Sequence, residues 1–177
     1  MKSTMKPNNP YVGLPKSRYW KSAVAERHPM DVEDIYSPKF PITPSDRIAV
    51  AGSCFAQHVG RHLKARGFGV LDSEPAPDKL PEAVAQRFGY GIYSARYGNV
   101  YTARQLLQLI RDGEQGEIRP EDFWRRDGRY FDAMRPGVEP DGLDSLDEAM
   151  AMRAQHLAHV RDLFRSADIL IFTLGLT

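Results

Sequence analysis

The chain has one cysteine, Cys54, in 177 residues. No disulfide can close within it, and no zinc site can be assembled from cysteines. Long apolar runs are also missing: nothing approaches the roughly 20 apolar residues that a membrane span needs. The opening, Met1-Lys2-Ser3-Thr4-Met5-Lys6-Pro7, lacks the apolar core of a secretory signal. Charge of one sign is lacking too. There are 24 Lys and Arg against 23 Asp and Glu, a net charge of +1, and the basic residues are scattered. A polyanionic partner is therefore not called for. The composition predicts a soluble cytoplasmic protein with neither nucleic acid nor membrane as partner. The length suffices for one domain with a substantial core.

Prolines crowd the first 45 residues, where Tyr11, Leu14, Tyr19, Trp20, Tyr36 and Phe40 are irregularly spaced. This predicts an extended arm, residues 1–45, packing on the domain through its aromatics, with a short helix around Trp20 to Glu26. Residues 46–177 form the domain. Arg47-Ile48-Ala49-Val50-Ala51 reads as a strand, Gln57 to about Gly67 as a helix, and Phe68-Gly69-Val70-Leu71 as a second strand. Together they make one βαβ unit with a parallel pair.

Further on, Phe88-Gly89-Tyr90-Gly91-Ile92-Tyr93 mixes glycines with aromatics, which predicts tight turns beside a pocket. Thr102-Ala103-Arg104-Gln105 is a capping box that opens a helix, with Gly113 as its stop. Asp127-Gly128 between aromatic-bearing arms signals a hairpin. Ser145-Leu146-Asp147-Glu148 opens a long helix with the apolar stripe Leu146, Met150, Leu157, Val160 and Phe164. Ile169 to Leu174 reads as a strand buried on both faces. Alternation of strands and helices makes the class α/β.

The chemistry concentrates at Gly52-Ser53-Cys54-Phe55-Ala56. A small residue, two nucleophiles and a helix start meet at one strand end, the layout of a nucleophile elbow. Amides at a helix N-terminus can steady an anion next to the attacking atom. The plain reading of the same residues is a strand-to-helix turn, with Ser53 as the N-cap and Cys54 buried and inert. His58 and His62 lie one helical turn apart, but no supporting carboxylate motif makes them a metal site. His156 and His159, on the long helix, read as solvated.

On these residues the chain resembles the GSCFA domain family. The similarity extends to Asp46-Arg47-Ile48-Ala49-Val50-Ala51, to Tyr97-Gly98-Asn99-Val100-Tyr101-Thr102 and to Phe172-Thr173-Leu174-Gly175-Leu176-Thr177. It includes Asn9-Pro10-Tyr11 and Pro38-Lys39-Phe40 in the arm. That family is similar to the SGNH/GDSL hydrolases, which implies a three-layer, flavodoxin-like parallel sheet.

The resemblance implies a nucleophile at Ser53 or Cys54. An ungapped overlay puts Cys54 at the nucleophile position, and a one-residue slide restores Ser53. A thiol at a helix start is a competent nucleophile. The resemblance further implies an oxyanion or substrate-binding role for Gly52, Gly98, Asn99, Gly175 and Thr177. Thr177 stands where the pattern has asparagine, and a hydroxyl can still donate one hydrogen bond. The catalytic Asp and His of that pattern fall beyond Thr177, so the sheet is expected to lack its C-terminal part and the chain to be a poor catalyst.

The implied function is an esterase, acyl hydrolase or acyltransferase acting on a small-molecule or glycan ester, without cofactor. The alternative is a non-catalytic domain that keeps the pocket. A homodimer through the exposed sheet edge at Ile169 to Leu174 is a further expectation.

Overall fold

The computed structural model describes residues 10–33 and 35–175. Two compact units divide the chain, Met1–Ile42 and Thr43–Thr177. Among the described residues of the first, helix is confined to single turns at Lys16–Arg18, Lys21–Ala25 and Pro29–Asp31. The predicted helix near Trp20 is the middle one, a wide turn of π type. The Ser22 hydroxyl ties it back to the Lys16 carbonyl at 2.7 Å.

The second unit is built on β1 (Ile48–Gly52), whose five residues are all buried. Small and β-branched side chains suit a strand covered on both faces. Helix α1 (Cys54–Ala65) follows after a single residue, Ser53. It starts three residues before the predicted Gln57, since Ser53 takes the extended N-cap conformation. α1 packs on β1 at Gly60, where a Cβ would lie 3.6 Å from the Val50 side chain, an ordinary contact. The chain continues through α2 (Glu82–Arg87), α3 (Ala103–Gln115), β2 (Phe123–Arg126), β3 (Arg129–Asp132), α4 (Leu146–Ser166) and β4 (Ile169–Thr173). The architecture is α/β.

β4 pairs in parallel with β1, from Ile48 opposite Ile169 to Gly52 opposite Thr173. The predicted strand at Phe68–Leu71 shrinks to one parallel bridge between Ile48 and Val70. The cause is visible in the hydrogen bonds along that edge. Ile48 N–H bonds the Gly69 carbonyl, and Leu71 N–H bonds the Ile48 carbonyl, before the chain departs. The next positions on that edge are met by the turns that follow α2. Val50 N–H donates to the Ser94 hydroxyl at 2.9 Å, the Tyr97 hydroxyl donates to the Val50 carbonyl, and Val100 N–H donates to the Gly52 carbonyl at 2.9 Å. Turns and hydroxyls thus satisfy backbone groups that a longer strand would otherwise pair.

Other departures have equally local causes. α3 runs through Gly113 and ends at Gly116, which takes the left-handed conformation. α4 buries Ala149, Arg153, His156, Leu157, Val160 and Leu163, a face rotated from the predicted stripe. His156, read as solvated, is buried because a carboxylate meets it inside. β4 is half-buried with Leu170 exposed, so its two faces are not both covered. The Asp127-Gly128 hairpin forms as predicted, with positive φ at both turn residues. The Thr102 capping box forms with Gln105. Among the described residues no helix is long and apolar enough to cross a membrane.

Candidate functional site

Three segments meet at the C-terminal ends of β1 and β4. The first is Gly52-Ser53-Cys54. Ser53 N–H donates to the Thr173 carbonyl at 3.2 Å and to its hydroxyl at 3.1 Å. The Ser53 and Thr173 hydroxyls are also 3.1 Å apart. The Ser53 side chain makes no helix cap, because Thr173 has claimed it. Cys54 is the first residue of α1, and it is exposed. The burial expected in the alternative reading of this thiol therefore does not hold.

The second segment is the turn at Gly98 and Asn99, brought beside Gly52 by the Val100 bond. Gly98 has φ +68 and is half-buried; Asn99 is exposed. The Tyr93 hydroxyl donates to Asn99 Oδ1 and accepts from Gln57 Nε2 of α1 at 3.0 Å. Burial pushes the Tyr93 phenol up. Cys54 and Tyr101 add to the rise, and the Gln57 bond opposes it. The third segment is Gly175, whose N–H bonds the Tyr101 carbonyl at 2.8 Å. A Cβ on Gly175 would stand 2.7 Å from the Tyr101 ring, so glycine is needed for the approach. Thr177 lies outside the described residues.

The location agrees with a general property of open α/β sheets. Val70 flanks β1 on one side and β4 on the other, so the chain leaves β1 in opposite directions. Ligands of such sheets bind beyond the carboxyl ends of the strands at that reversal. A groove of about 420 Å³ borders the second segment, lined by Gln57, Tyr93, Gly98, Asn99, Tyr101 and Gln105 among others, while Ser53, Cys54 and Gly175 are not in its lining. That size suits a small organic ligand.

No general base is part of this cluster among the described residues. Among the described residues, the Ser53 hydroxyl bonds only Thr173, and the Cys54 thiol has no hydrogen-bond partner. His58 and His62 are exposed on α1. No group of three His, Cys, Asp or Glu among the described residues could hold a metal ion.

Sequence reasoning missed a buried pair. Glu74, in the loop between α1 and α2, places Oε2 2.7 Å from Nδ1 of His156. Both are within the protein, at 8% and 2% exposure. The available signal was the spacing of Ala149, Arg153, His156, Val160 and Leu163, one continuous helical face that includes two polar residues.

Residues 47–177 match the model of the GSCFA family. No curated protein and no solved structure matches the chain.

Proposed function

The chain belongs to the GSCFA family, and from that premise we propose an SGNH-type ester hydrolase or acyltransferase acting on an acyl ester, such as an O-acyl group of a glycan. One observation carries the reading. An exposed thiol stands at the first position of α1, beyond a buried strand end where the Gly98 and Gly175 segments converge. In this reading the Cys54 sulfur attacks the ester carbonyl, the C–O bond breaks, and the alcohol leaves with a proton. The resulting thioester passes its acyl group to water or to a second hydroxyl. Amides of the first turn of α1 and of Gly98, with the Asn99 side chain, stabilise the oxyanion. Ser53 is the alternative nucleophile, Gly52 and Gly175 shape the cleft, and Thr177 keeps the substrate-binding role its motif position suggests.

A second reading is a ligand-binding domain without turnover. It is favoured by the lack of a base beside Ser53 or Cys54 among the described residues, since a base must be within hydrogen-bond reach. Both readings keep a cytoplasmic location, where a reducing environment preserves an exposed thiol. Both also keep a homodimer through the edge of β4, where Leu170 is exposed. Sedimentation as a monomer at micromolar concentration would remove the dimer.

The deciding experiment compares p-nitrophenyl acetate turnover and intact-mass labelling by iodoacetamide in wild type, C54A and S53A. Turnover lost in C54A and kept in S53A supports the thiol mechanism. Wild-type turnover no higher than that of C54A, with saturable binding of an acetylated sugar, supports the binding domain.

A further inference from the structure

We propose that His156 and Arg153 form a subsite for a neutral hydroxyl group, so that the ligand class of the adjoining groove is a polyol or sugar. The argument starts from the proton on His156. Glu74 Oε2 accepts from His156 at 2.7 Å and from Arg96 N–H at 2.6 Å. Burial raises the Glu74 carboxyl, but the bonds from His156 and Arg96 and the charge of Arg135 outweigh it and hold the group ionised. Burial, then Arg135, lower His156 to a pKa of about 4 against the pull of Glu74. A neutral imidazole facing a carboxylate carries its proton on Nδ1. Nε2 is then left with a lone pair.

That Nε2 is buried and has no hydrogen-bond partner among the described residues. One turn earlier on α4, Arg153 is 3% exposed. Its two terminal nitrogens bond Asp132 at 2.7 Å and Asp112 at 3.0 Å. Its Nε–H is buried without a partner as well. Unsatisfied buried groups of this kind are costly, and two on adjacent turns point to a missing partner.

His156 and Arg153 both line a small pocket of about 50 Å³, together with Tyr97, Asn99, Gln105 and Asp112. One orphan accepts a hydrogen bond and the other donates one. A hydroxyl does both. An ammonium group could satisfy only His156, and a carboxylate only Arg153. Asp112, which lines the pocket, disfavours a second anion, and the Arg135 and Arg153 guanidiniums that line it are already paired with Asp132 and Asp112. The volume admits a water or a hydroxymethyl tip rather than a whole ring. Asn99, Gln105, Met134 and Arg135 line both this pocket and the 420 Å³ groove, which has room for the body of the ligand. The subsite does not use Cys54 and stands whether or not the hydrolase reading does.

The test follows the imidazole nitrogens of His156 by NMR in the full chain, with ¹⁵N-labelled histidine. The probes are glycerol, methyl β-glucopyranoside and, as the capped control, ethylene glycol dimethyl ether. The expected result is a saturable shift of Nε2 with a Kd on the order of 1 mM for a hydroxyl-bearing probe and none for the diether. R153K keeps a cation but has no Nε–H, and it weakens binding about tenfold. C54A leaves binding unchanged, so loss of turnover and loss of the subsite are read separately. A His156 signal in folded wild type that neither polyol moves, or that the diether moves equally, overturns the proposal. A hydrogen-bonded Nε2 that no polyol perturbs means a structural water only, and overturns it too.

Discussion

Gly52 and Thr173 face each other so closely across the parallel pair that a Cβ on residue 52 would stand 2.5 Å from both the carbonyl and the hydroxyl oxygen of Thr173. The backbone at Gly52 also has φ +138, a conformation that side chains rarely adopt. The glycine of the motif is therefore needed for the strand pairing itself, apart from any catalysis. The two oxygens belong to the residue that also binds Ser53, so neither can retreat without loosening the elbow.

G52A is expected to destabilise the chain by about 3 kcal/mol, from strain and collision together. Urea unfolding of wild type and variant reads this directly. A change below about 1 kcal/mol would mean that β4 shifts freely away from β1.

The interior ion network gives a second prediction. Arg153 pairs with Asp132 and Asp112 at 3% side-chain exposure, whereas Arg87 and Asp141 pair at 58% and 59%. Removing one partner of a buried network strands the other charge, so R153L should cost about 3 kcal/mol. R87L removes a solvated pair and should cost less than about 1 kcal/mol. Equal losses in thermal unfolding would contradict the network's role in holding α3 against α4.

Acid stability follows from the Glu74–His156 pair. His156 has a folded pKa of about 4, below the ordinary histidine value of 6.5. The unfolded chain therefore binds the proton first as pH falls, and stability drops between about 6.5 and 4. Glu74 is also lowered in the fold, so its contribution is lost at still lower pH, as its carboxylate is protonated. Asp112, raised chiefly by burial, acts in the opposite sense over its own range. The sum is a loss of a few kcal/mol on acidification from neutral pH. H156Q should flatten that slope in denaturant midpoints measured against pH. An unchanged slope would place the titrating group elsewhere.

How far the sequence was legible can be argued from the same residues. Signals contained within a few positions were readable: the Thr102–Gln105 box, the Asp127-Gly128 hairpin, the strand before Gly52. Errors arose where partners are distant along the chain. His156 meets Glu74 across 82 positions and Arg153 meets Asp112 across 41, so their burial has no local mark. The strand at 68–71 was overestimated because Ser94, Tyr97 and Val100 pair with β1 in its place. At the candidate site, the sequence singled out the elbow, Gly98 and Gly175 by motif alone. It gave no indication that Thr173 would occupy the Ser53 hydroxyl, or that Cys54 would face outward.

One glycine within α3 and one at its cap extend that lesson to a measurement. Gly113 reads as a stop, yet the helix continues through it to Gln115. Its near neighbours are α4 atoms: a Cβ would meet the Leu157 carbonyl at 3.4 Å, the Arg161 nitrogen at 3.5 Å and Val160 at 3.6 Å. Those are ordinary contacts, so an alanine fits without moving the helices. Alanine also gains helix propensity, and G113A should stabilise by roughly 0.5–1 kcal/mol. G113L has no such room and should push α3 from α4, at a cost of about 2 kcal/mol. Gly116 is the reverse case. Nothing lies within 4 Å of its Cβ position, but φ is +65, and the left-handed backbone closes the helix. G116A should therefore cost about 1 kcal/mol despite the open space. Opposite signs for the two alanines in chemical unfolding would assign the stop to Gly116. If both destabilise, the α3–α4 contact at Gly113 is tighter than ordinary packing.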